Sequence, residues 1–422
     1  MPRRDPLLVF CLAALLTVAV LSGCAGHPEP EDAAAAPIAV PDEESLILIS
    51  LDGFRWDYLD RVEVPHLTAL AARGVRAEGL IPVYPSKTFP CHYSVVTGLY
   101  PGHHGILFND IYDAEFDAEF HLRDRDAVTD PRWWGGEPIW VTAERQGVRA
   151  GAMFWPGTEG AIGGVRPSYW RPYDSKFSYR DRVETVLGWL DLPPGERPRM
   201  MTLYFQTPDG PSHHHGPLSP QAFAAAREVD ARIGDLVAGI ERRGLTDRVN
   251  LIVVSDHGMA ETSRERAIVL DDYVELAPEE VFQDGAVLQL HPRPGREEEI
   301  FAALHGAHPR LAVYRRGETP ERYYLGSGPR VPPILGVPDA GWQVKTRRSA
   351  EFLRAVGGDH GYDPADPSMH ALFVAAGPAL RSGLRVERFE SVEIYNLMCA
   401  ILGLDPAAND GRPGALDHLL AD

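Results

Sequence analysis

The chain has 422 residues, 44% hydrophobic and 24% charged, which is typical of a globular protein long enough to bury a large core. Its formal net charge is −19 at pH 7, because 60 acidic residues outnumber 41 lysines and arginines. General affinity for nucleic acid requires a basic surface, so we predict no stable nucleic-acid partner. An anionic substrate would need a local positive centre, which bound metal would supply.

The N-terminal residues have the pattern of an export signal. Two arginines precede an apolar stretch from Leu7 to Leu21, and small residues follow it, which predicts a signal peptide over residues 1–23. A membrane-spanning helix is the alternative, but the apolar stretch is too short. Leu21-Ser-Gly-Cys24 also resembles the lipobox of bacterial lipoproteins, so Cys24 is the predicted lipidation site.

Residues 24–44 are rich in proline, alanine and acidic side chains, which predicts a flexible tether between the lipid anchor and the fold. We therefore expect an exported, periplasm-facing protein that is lipid-anchored to a bacterial membrane. In the mature chain only Cys91 and Cys399 would remain besides Cys24, which excludes a disulfide scaffold. The sequence leaves open whether these two cysteines pair.

Short apolar runs that end in polar or acidic residues predict the buried strands of a mostly parallel sheet. The runs are Leu46–Leu51 before Asp52, Met201–Gln206 before Asp209, Leu251–Ser255 before Asp256, and Ala371–Ala376. A helix is predicted after Ser219-Pro220, ending at Gly244. The predicted fold class is α/β, with helices flanking the central sheet.

Proline, arginine and glycine become frequent from about Asp271 to Trp342. We interpret this change as a small inserted subdomain over residues 271–342. The catalytic domain would then comprise residues 45–270 and 343–422.

Three acidic residues fall where ligands collect in open α/β sheets, at the carboxyl ends of strands. Asp52 follows the first strand, although an acid there often caps the next helix. Asp256 is followed by His257 and Gly258, and the glycine permits a turn that lets both side chains face one metal ion. Asp209 precedes three histidines.

The segment after Asp209 reads Gly-Pro-Ser-His213-His214-His215. An acid and an imidazole four residues apart suit zinc if the segment turns, but residue chemistry barely separates the three histidines. His360 lies in a glycine-rich segment, where a lone histidine is more often structural. Together, three Asp and three His in such contexts favour a metal site, because unpaired buried carboxylates are costly.

Thr88 precedes Pro90, which suits the first turn of a helix. Thr88 would therefore lie at a helix N-terminus, where backbone amides favour anions. Its hydroxyl is a poor nucleophile unless a base or metal activates it. The alternative is that Thr88 only caps the helix.

The ordered motifs resemble those of the nucleotide pyrophosphatase/phosphodiesterase family of the alkaline phosphatase superfamily. The resemblance extends from about Ser45 to Gly411 and includes Thr88-Phe-Pro, Asn109-Asp, Pro208-Asp-x-x-x-His, Asp256-His-Gly and His360-Gly-Tyr. It implies an alkaline-phosphatase-like sheet and two Zn²⁺ ions. It assigns one ion to Asp52, Thr88, Asp256 and His257, and the other to Asp209, His213 and His360.

The resemblance also implies a function. Thr88 would attack phosphorus and form a covalent phosphothreonine intermediate that water releases, while Asn109 and the Phe89 amide hold a phosphate oxygen. Phe89, Leu122, Tyr173 and Tyr204 match positions that stack on a base or line its pocket, although core packing is the alternative role for each. The expected reaction cleaves nucleotide phosphodiester or pyrophosphate bonds to nucleoside 5′-monophosphates.

Two departures from the family pattern, Cys91 and Asp410, bear on substrate preference. The rival activities are a phosphomonoesterase or phosphonate hydrolase of the same superfamily. A catalytically dead surface-binding lipoprotein is the rival from another class. A sulfatase is excluded, because sulfatases mature a Cys or Ser in a Cys/Ser-x-Pro-x-Arg setting, whereas here position 88 is Thr and position 92 is His.

Overall fold

A computed structural model describes residues 44–421. The predicted signal peptide, the predicted lipidation site Cys24 and all of the predicted tether except Glu44 lie outside these residues. Within residues 44–421, no helix combines the length and the apolar character needed to cross a membrane.

The described residues form twenty strands and twelve α-helices. The strands are β1 Ser45–Leu51, β2 Val75–Ala77, β3 Leu80–Ile81, β4 Asp110–Asp113, β5 Ala118–His121, β6 Ala150–Met153, β7 Tyr169–Trp170, β8 Met200–Phe205, β9 Val249–Val254, β10 Ala260–Thr262, β11 Ala267–Val269, β12 Val281–Gln283, β13 Leu288–Leu290, β14 Leu311–Arg315, β15 Ile334–Pro338, β16 Gln343–Lys345, β17 Gly357–Asp359, β18 Phe373–Ala376, β19 Leu384–Val386 and β20 Phe389–Glu390. The helices are α1 Tyr58–Arg61, α2 Pro65–Ala72, α3 Thr88–Thr97, α4 Pro101–His104, α5 Arg125–Thr129, α6 Ile139–Arg145, α7 Tyr179–Leu190, α8 Asp209–His215, α9 Pro220–Arg242, α10 Glu297–Leu304, α11 Arg347–Ala350 and α12 Ile394–Leu402.

The central sheet has eight strands in the order β19-β2-β18-β9-β1-β8-β6-β7. Strand β1 pairs in parallel with β8 on one side and β9 on the other, and β6 continues the parallel arrangement beside β8. Strand β18 is antiparallel to both β9 and β2. The predicted α/β fold with a mostly parallel central sheet is confirmed.

Strand β1 shows why this sheet is buried on both faces. Leu46 and Leu48 pack into one hydrophobic cluster, whereas Ile47, Ile49 and Leu51 pack into the cluster on the other face. Because successive side chains of a strand point to opposite faces, a continuous apolar run requires cover on both. Helix α9 contributes to one cluster and α12 to the other.

Helix α9 begins where its sequence predicts. The Ser219 hydroxyl accepts a hydrogen bond from the Ala222 amide at 3.2 Å, and Pro220 occupies the first helical position. Val229 and Ile233 on its inner face are fully buried. A capped amphipathic helix therefore covers the sheet beneath the site described below.

A second, four-stranded sheet forms within residues 281–338, in the order β12-β13-β15-β14. It packs with α10 around a hydrophobic cluster of its own. Strands β11 and β16 pair in parallel and bring the two ends of this region together. The division into a catalytic domain and an inserted subdomain over 271–342 stays a prediction.

Candidate active site

Three acidic residues meet at the carboxyl edge of the central sheet, because β8, β1 and β9 are parallel neighbours. The Asp52 amide donates to Phe205 O at 2.9 Å, and the Asp209 amide donates to Asp52 O at 3.0 Å. Gly53 allows this close approach: its φ is +70°, and a Cβ atom there would lie 2.9 Å from Asp209 Cα. Parallel pairing thus places Asp52 beside the segment that carries Asp209.

The first cluster consists of Asp52, Asp256 and His257, which are all buried. His257 Nε2 lies 2.9 Å from Asp256 Oδ2 and 3.6 Å from Asp52 Oδ1. The chain turns directly after β9, as predicted, so that the adjacent Asp256 and His257 face the same point. Position 258 has no space for a side chain, because a Cβ atom there would lie 2.1 Å from Ser368 O.

The second cluster consists of Asp209, His213 and His360. Asp209 and His213 lie on α8, so their spacing of four places both on one helical face, where sequence analysis expected only a turn-rich segment. His213 Nε2 lies 3.2 Å from Asp209 Oδ1, and His360 Nε2 lies 3.6 Å from the same oxygen. His214 and His215 are exposed and are not members of the cluster, which separates the three histidines.

The three clustered histidines share one orientation. Each Nδ1 lies 2.8 Å from a backbone carbonyl: Gly358 O for His213, Gly258 O for His257 and Ser86 O for His360. A carbonyl can only accept, so each Nδ1 carries a proton, and each Nε2 is the nitrogen that faces an acid of the clusters. Metal-binding histidines are oriented in this way in many proteins.

Four atoms of the two clusters lack a hydrogen-bond partner within residues 44–421, and all are buried: Asp52 Oδ1, Asp209 Oδ1, Asp256 Oδ2 and His257 Nε2. A buried acceptor without a donor is costly, and three of these atoms meet in the first cluster, which indicates a site for a positive group. Carboxylate oxygens with imidazole nitrogens are a donor set that suits zinc.

The electrostatics of the first cluster agree with this interpretation. Burial raises the pKa of Asp52 well above its usual value, and the charges of Asp256 and Asp209 add to the rise. Burial also opposes ionisation of Asp256, but His257 and His92 outweigh it and hold the pKa of Asp256 well below its usual value. Crowded buried carboxylates of this kind fit a divalent cation.

Thr88 is the first residue of α3, and Lys87 is the residue that caps this helix without a side-chain hydrogen bond. The cap role considered for Thr88 is therefore not observed. Thr88 lines a cavity of about 370 Å³ that also contains Asp52, Asp209, His213 and His360. Its hydroxyl thus belongs to the same space as members of both clusters.

Asn109 lines the same cavity. Its Oδ1 accepts a hydrogen bond from the Phe89 amide at 2.9 Å, so the side-chain NH₂ is the group left to donate. This hydrogen bond holds Asn109 beside the start of α3. The expectation that the Phe89 amide also holds a phosphate oxygen stays a prediction.

The four predicted pocket residues, Phe89, Leu122, Tyr173 and Tyr204, all line the cavity. Phe89 packs against Phe120 and Trp134, and Tyr173 is 39% exposed. The phenol of Tyr204 donates to Asp52 Oδ2 at 2.6 Å. Tyr204 therefore supports the first cluster as well as the cavity wall.

Sequence analysis missed two buried groups behind the clusters. Lys87 Nζ lies 3.2 Å from Asp359 Oδ1. Burial raises the pKa of Asp359, but Lys87, His213 and hydrogen bonds from Gln343 and the His360 amide together outweigh it and lower that pKa to about 2. His92 Nδ1 lies 2.8 Å from Thr88 O and 3.3 Å from Asp256 Oδ2. Lys87 and His92 both stand in the motif that carries Thr88, and Asp359 directly precedes His360. Their position in these motifs was the available signal.

The fold and the clusters define an α/β protein with two candidate metal sites, and comparison with known families identifies its class. A family model described as Type I phosphodiesterase / nucleotide pyrophosphatase matches residues 46–363. The chain belongs to this family of hydrolases.

Known relatives are similar over nearly the whole chain. Human ectonucleotide pyrophosphatase/phosphodiesterase family member 7 is 38% identical, with 97% of this chain and 89% of the relative aligned. Member 5 from human is 36% identical, with 90% and 79% aligned. Against bovine member 3, at 37% identity, 90% of this chain aligns but only 44% of the relative. The chain thus spans less than half the length of some relatives.

A solved structure of the murine ectonucleotide pyrophosphatase/phosphodiesterase 5 superposes with a TM-score of 0.85. It is 37% identical, and the match covers 90% of this chain and all of that one. That structure is of an inactive threonine-to-alanine variant in complex with AMP.

Proposed function

We propose that this protein hydrolyses phosphodiester or pyrophosphate bonds of nucleotides and releases nucleoside 5′-monophosphates, with Thr88 as the nucleophile. The observation that carries the proposal is the cavity that Thr88 shares with both clusters. Family membership supports the reaction class. The inactive threonine variant of the murine relative supports the choice of a threonine nucleophile.

Each cluster would hold one Zn²⁺, with Thr88 joining the first cluster. Bound zinc would supply positive charge for the nonbridging phosphate oxygens and would lower the pKa of a coordinated hydroxyl or water. The orientation of His213, His257 and His360, whose Nδ1 atoms are held by carbonyls, and the partnerless carboxylate oxygens support this assignment.

The residues of the chain would act in sequence. The Thr88 hydroxyl releases its proton to solvent, and its oxygen forms a bond to phosphorus as the bond to the leaving alcohol or phosphate breaks. Water then attacks the nucleotidyl ester of Thr88, releases the monophosphate and restores the hydroxyl. The Asn109 NH₂, aimed by the Phe89 amide, donates to a phosphate oxygen throughout.

The nucleoside would bind in the outer part of the cavity. Phe89 and Tyr173 offer ring faces for stacking on a base, and Leu122 adds an apolar contact. Stacking accepts any base, so we propose affinity with little base discrimination. The AMP bound to the murine relative supports a nucleotide ligand.

The proposal is tested by comparing hydrolysis of p-nitrophenyl-TMP with that of p-nitrophenyl phosphate, using zinc-loaded protein. We expect kcat/KM to be higher for the diester by at least about a hundredfold, because only the diester places a nucleoside on Phe89 and Tyr173. A strong preference for the monoester would overturn the proposal in favour of a phosphomonoesterase.

We also propose export and lipid anchoring through Cys24, which the N-terminal sequence pattern supports. Expression of the full chain in a Gram-negative host with radiolabelled palmitate provides the test. Label on the wild-type chain and its loss in Cys24→Ser is the expected result, and an unlabelled wild-type chain would contradict the anchor.

A further inference from the structure

One arginine in the catalytic fold carries a buried charge without an acidic partner. Arg182 on α7 has an exposed fraction of 0%. Among residues 44–421, no carboxylate lies within ion-pair distance of its guanidinium. A buried cation is costly unless polar groups compensate it, so its surroundings need an explanation.

The guanidinium of Arg182 instead donates hydrogen bonds to three uncharged oxygens. Its Nε donates to Phe177 O at 3.0 Å, its Nη1 to Tyr204 O at 2.7 Å and its Nη2 to Gln206 Oε1 at 2.8 Å. The guanidinium also lies 4.8 Å from the ring centroid of Phe154. Such a planar fork can hold several partners in a fixed geometry, which a lysine cannot.

These partners surround the part of the cavity proposed for the nucleoside. Phe154, Tyr204 and Gln206 line that cavity. Phe177 belongs to the segment 171–178, which also carries Tyr173. Arg182 therefore connects Tyr204 and Gln206 in the cavity wall to the segment that carries Tyr173.

Hydrogen bonds from Arg182 and Gln206 hold the segment 171–178 against the cavity wall. Gln206 Nε2 donates to Ser175 O at 3.2 Å, so the Arg182–Gln206 pair fixes the segment at two carbonyls. Tyr173 itself packs edge-on against Phe154, with centroids 5.1 Å apart. Burial raises the pKa of Tyr173, and the charge of Arg182 opposes that rise.

We propose that Arg182 is a positioning residue for nucleoside binding, which holds segment 171–178 so that Tyr173 faces the base. The inference rests on the proposed nucleotide phosphodiesterase function. It adds a specificity-determining residue that touches neither metal cluster. The alternative to this role is that Arg182 only stabilises the fold and has no specific effect on nucleoside binding.

Arg182→Lys keeps the charge and loses the fork, and Arg180→Lys is a matched control. Arg180 lies two residues earlier on α7 and is exposed, and its side chain makes no ion pair or hydrogen bond within residues 44–421. Steady-state kinetics would use p-nitrophenyl-TMP and methyl p-nitrophenyl phosphate, which lacks a nucleoside. Thermal unfolding of each variant would be measured in parallel.

For Arg182→Lys we expect KM for p-nitrophenyl-TMP to rise about tenfold with kcat within twofold, because a displaced Tyr173 weakens binding more than chemistry. KM for the methyl ester should change by less than twofold, and Arg180→Lys should match the wild type. Equal losses on both substrates would overturn the proposal and leave a structural role. Unchanged kinetics would overturn it too.

A double-mutant cycle with Tyr173→Ala gives a second test. If Arg182 acts through Tyr173, Arg182→Lys should add less than about twofold to KM in the Tyr173→Ala background. Independent, multiplying effects would contradict the inference. Should Arg182→Lys fold poorly, Gln206→Leu removes the Ser175 tether and should raise KM for the nucleoside substrate alone.

The failure of the proposed function is distinguishable from the failure of this inference. A wild-type enzyme without preference for p-nitrophenyl-TMP over the methyl ester would remove the proposed function. A wild-type enzyme that has the preference, paired with an Arg182→Lys variant that retains it, would remove only the role of Arg182.

Discussion

The two clusters are built in different ways. The first, Asp52, Asp256 and His257, follows directly from the ends of β1 and β9 and is buried. The second takes two residues from the short helix α8 and one from the segment after β17, and Asp209 and His213 are partly exposed. Groups on central strands are held by the sheet, whereas groups on a short helix depend on local packing.

We infer from this difference in burial that the two clusters would bind their metal ions differently. A buried site at the ends of central strands would suit a permanently bound ion beside Thr88, the proposed nucleophile. The more open second cluster would suit an ion that remains accessible to water. The predictions below test whether the clusters differ in this way.

The largest expected effect is that of Thr88→Ala, which removes the proposed nucleophile and leaves both clusters intact. We expect kcat to fall by at least about a thousandfold, because the hydroxyl that would form the covalent ester is removed. Bound zinc, measured by inductively coupled plasma mass spectrometry, should fall by less than one ion per chain. Thr88→Ser should restore part of the activity; full activity of the alanine variant would remove Thr88 from the mechanism.

The second prediction compares the clusters directly. His213→Ala should leave one tightly bound metal ion per chain and lower kcat by about a hundredfold or more, because one of two charge-stabilising ions is lost. The adjacent exposed His214→Ala is the matched control and should keep two ions and full activity. Two retained ions in His213→Ala would exclude His213 as a ligand.

Asn109→Ala tests a donor that belongs to neither cluster. We expect kcat to fall about a hundredfold, the usual cost of removing one preorganised donor to a charged oxygen. Metal content should stay at the wild-type level, which would separate hydrogen bonding from charge stabilisation. A loss of metal together with activity would instead tie Asn109 to the clusters.

The smallest expected effect concerns stability without metal. Asp52 is a buried carboxylate whose pKa is raised by burial and by Asp256 and Asp209, so Asp52→Asn should relieve repulsion in metal-free protein. We expect a gain of about 1 kcal/mol in the free energy of unfolding, within the range for removing a strained functional group. Urea unfolding in the presence of a chelator measures it.

Asp209→Asn is the comparison for that gain. Because the second cluster is partly exposed, water screens its charge, and we expect a smaller change there. Equal gains in both variants would show that burial does not distinguish the clusters.

Much of the first cluster could be predicted from sequence, because its members follow apolar runs that can only be buried strands. Asp52 and Asp256 were placed at strand ends by that pattern alone. His257 needed a turn, which Gly258 permits. Local sequence was sufficient here because the sheet itself brings the residues together.

The second cluster was harder to predict for a physical reason. His213 and His214 differ only in which face of α8 they occupy, and the sequence predicted no helix there. His360 joins through β17, which lies far along the chain from α8. Only the family resemblance selected His213 from its neighbours, and the structure then supplied the cause in the helical spacing of four.

Contacts made through backbone atoms could not be predicted at all. The hydrogen bond from the Phe89 amide to Asn109 joins residues that are 20 positions apart, and no sequence pattern indicates it. Arg182 lies in an ordinary amphipathic helix, and nothing in its local sequence indicates the carbonyls that it holds. Such roles depend on which backbone segments lie next to each other, and only the folded structure shows that.

The central claim is that Thr88 forms the covalent bond to the nucleotide. The most direct measurement is acid quenching of zinc-loaded enzyme during turnover of ATP labelled at the α-phosphorus, followed by peptide mass spectrometry. The account predicts a nucleotidyl group on the peptide that contains Thr88, and none in Thr88→Ala. Label on another residue, or full turnover by Thr88→Ala without any adduct, would contradict it.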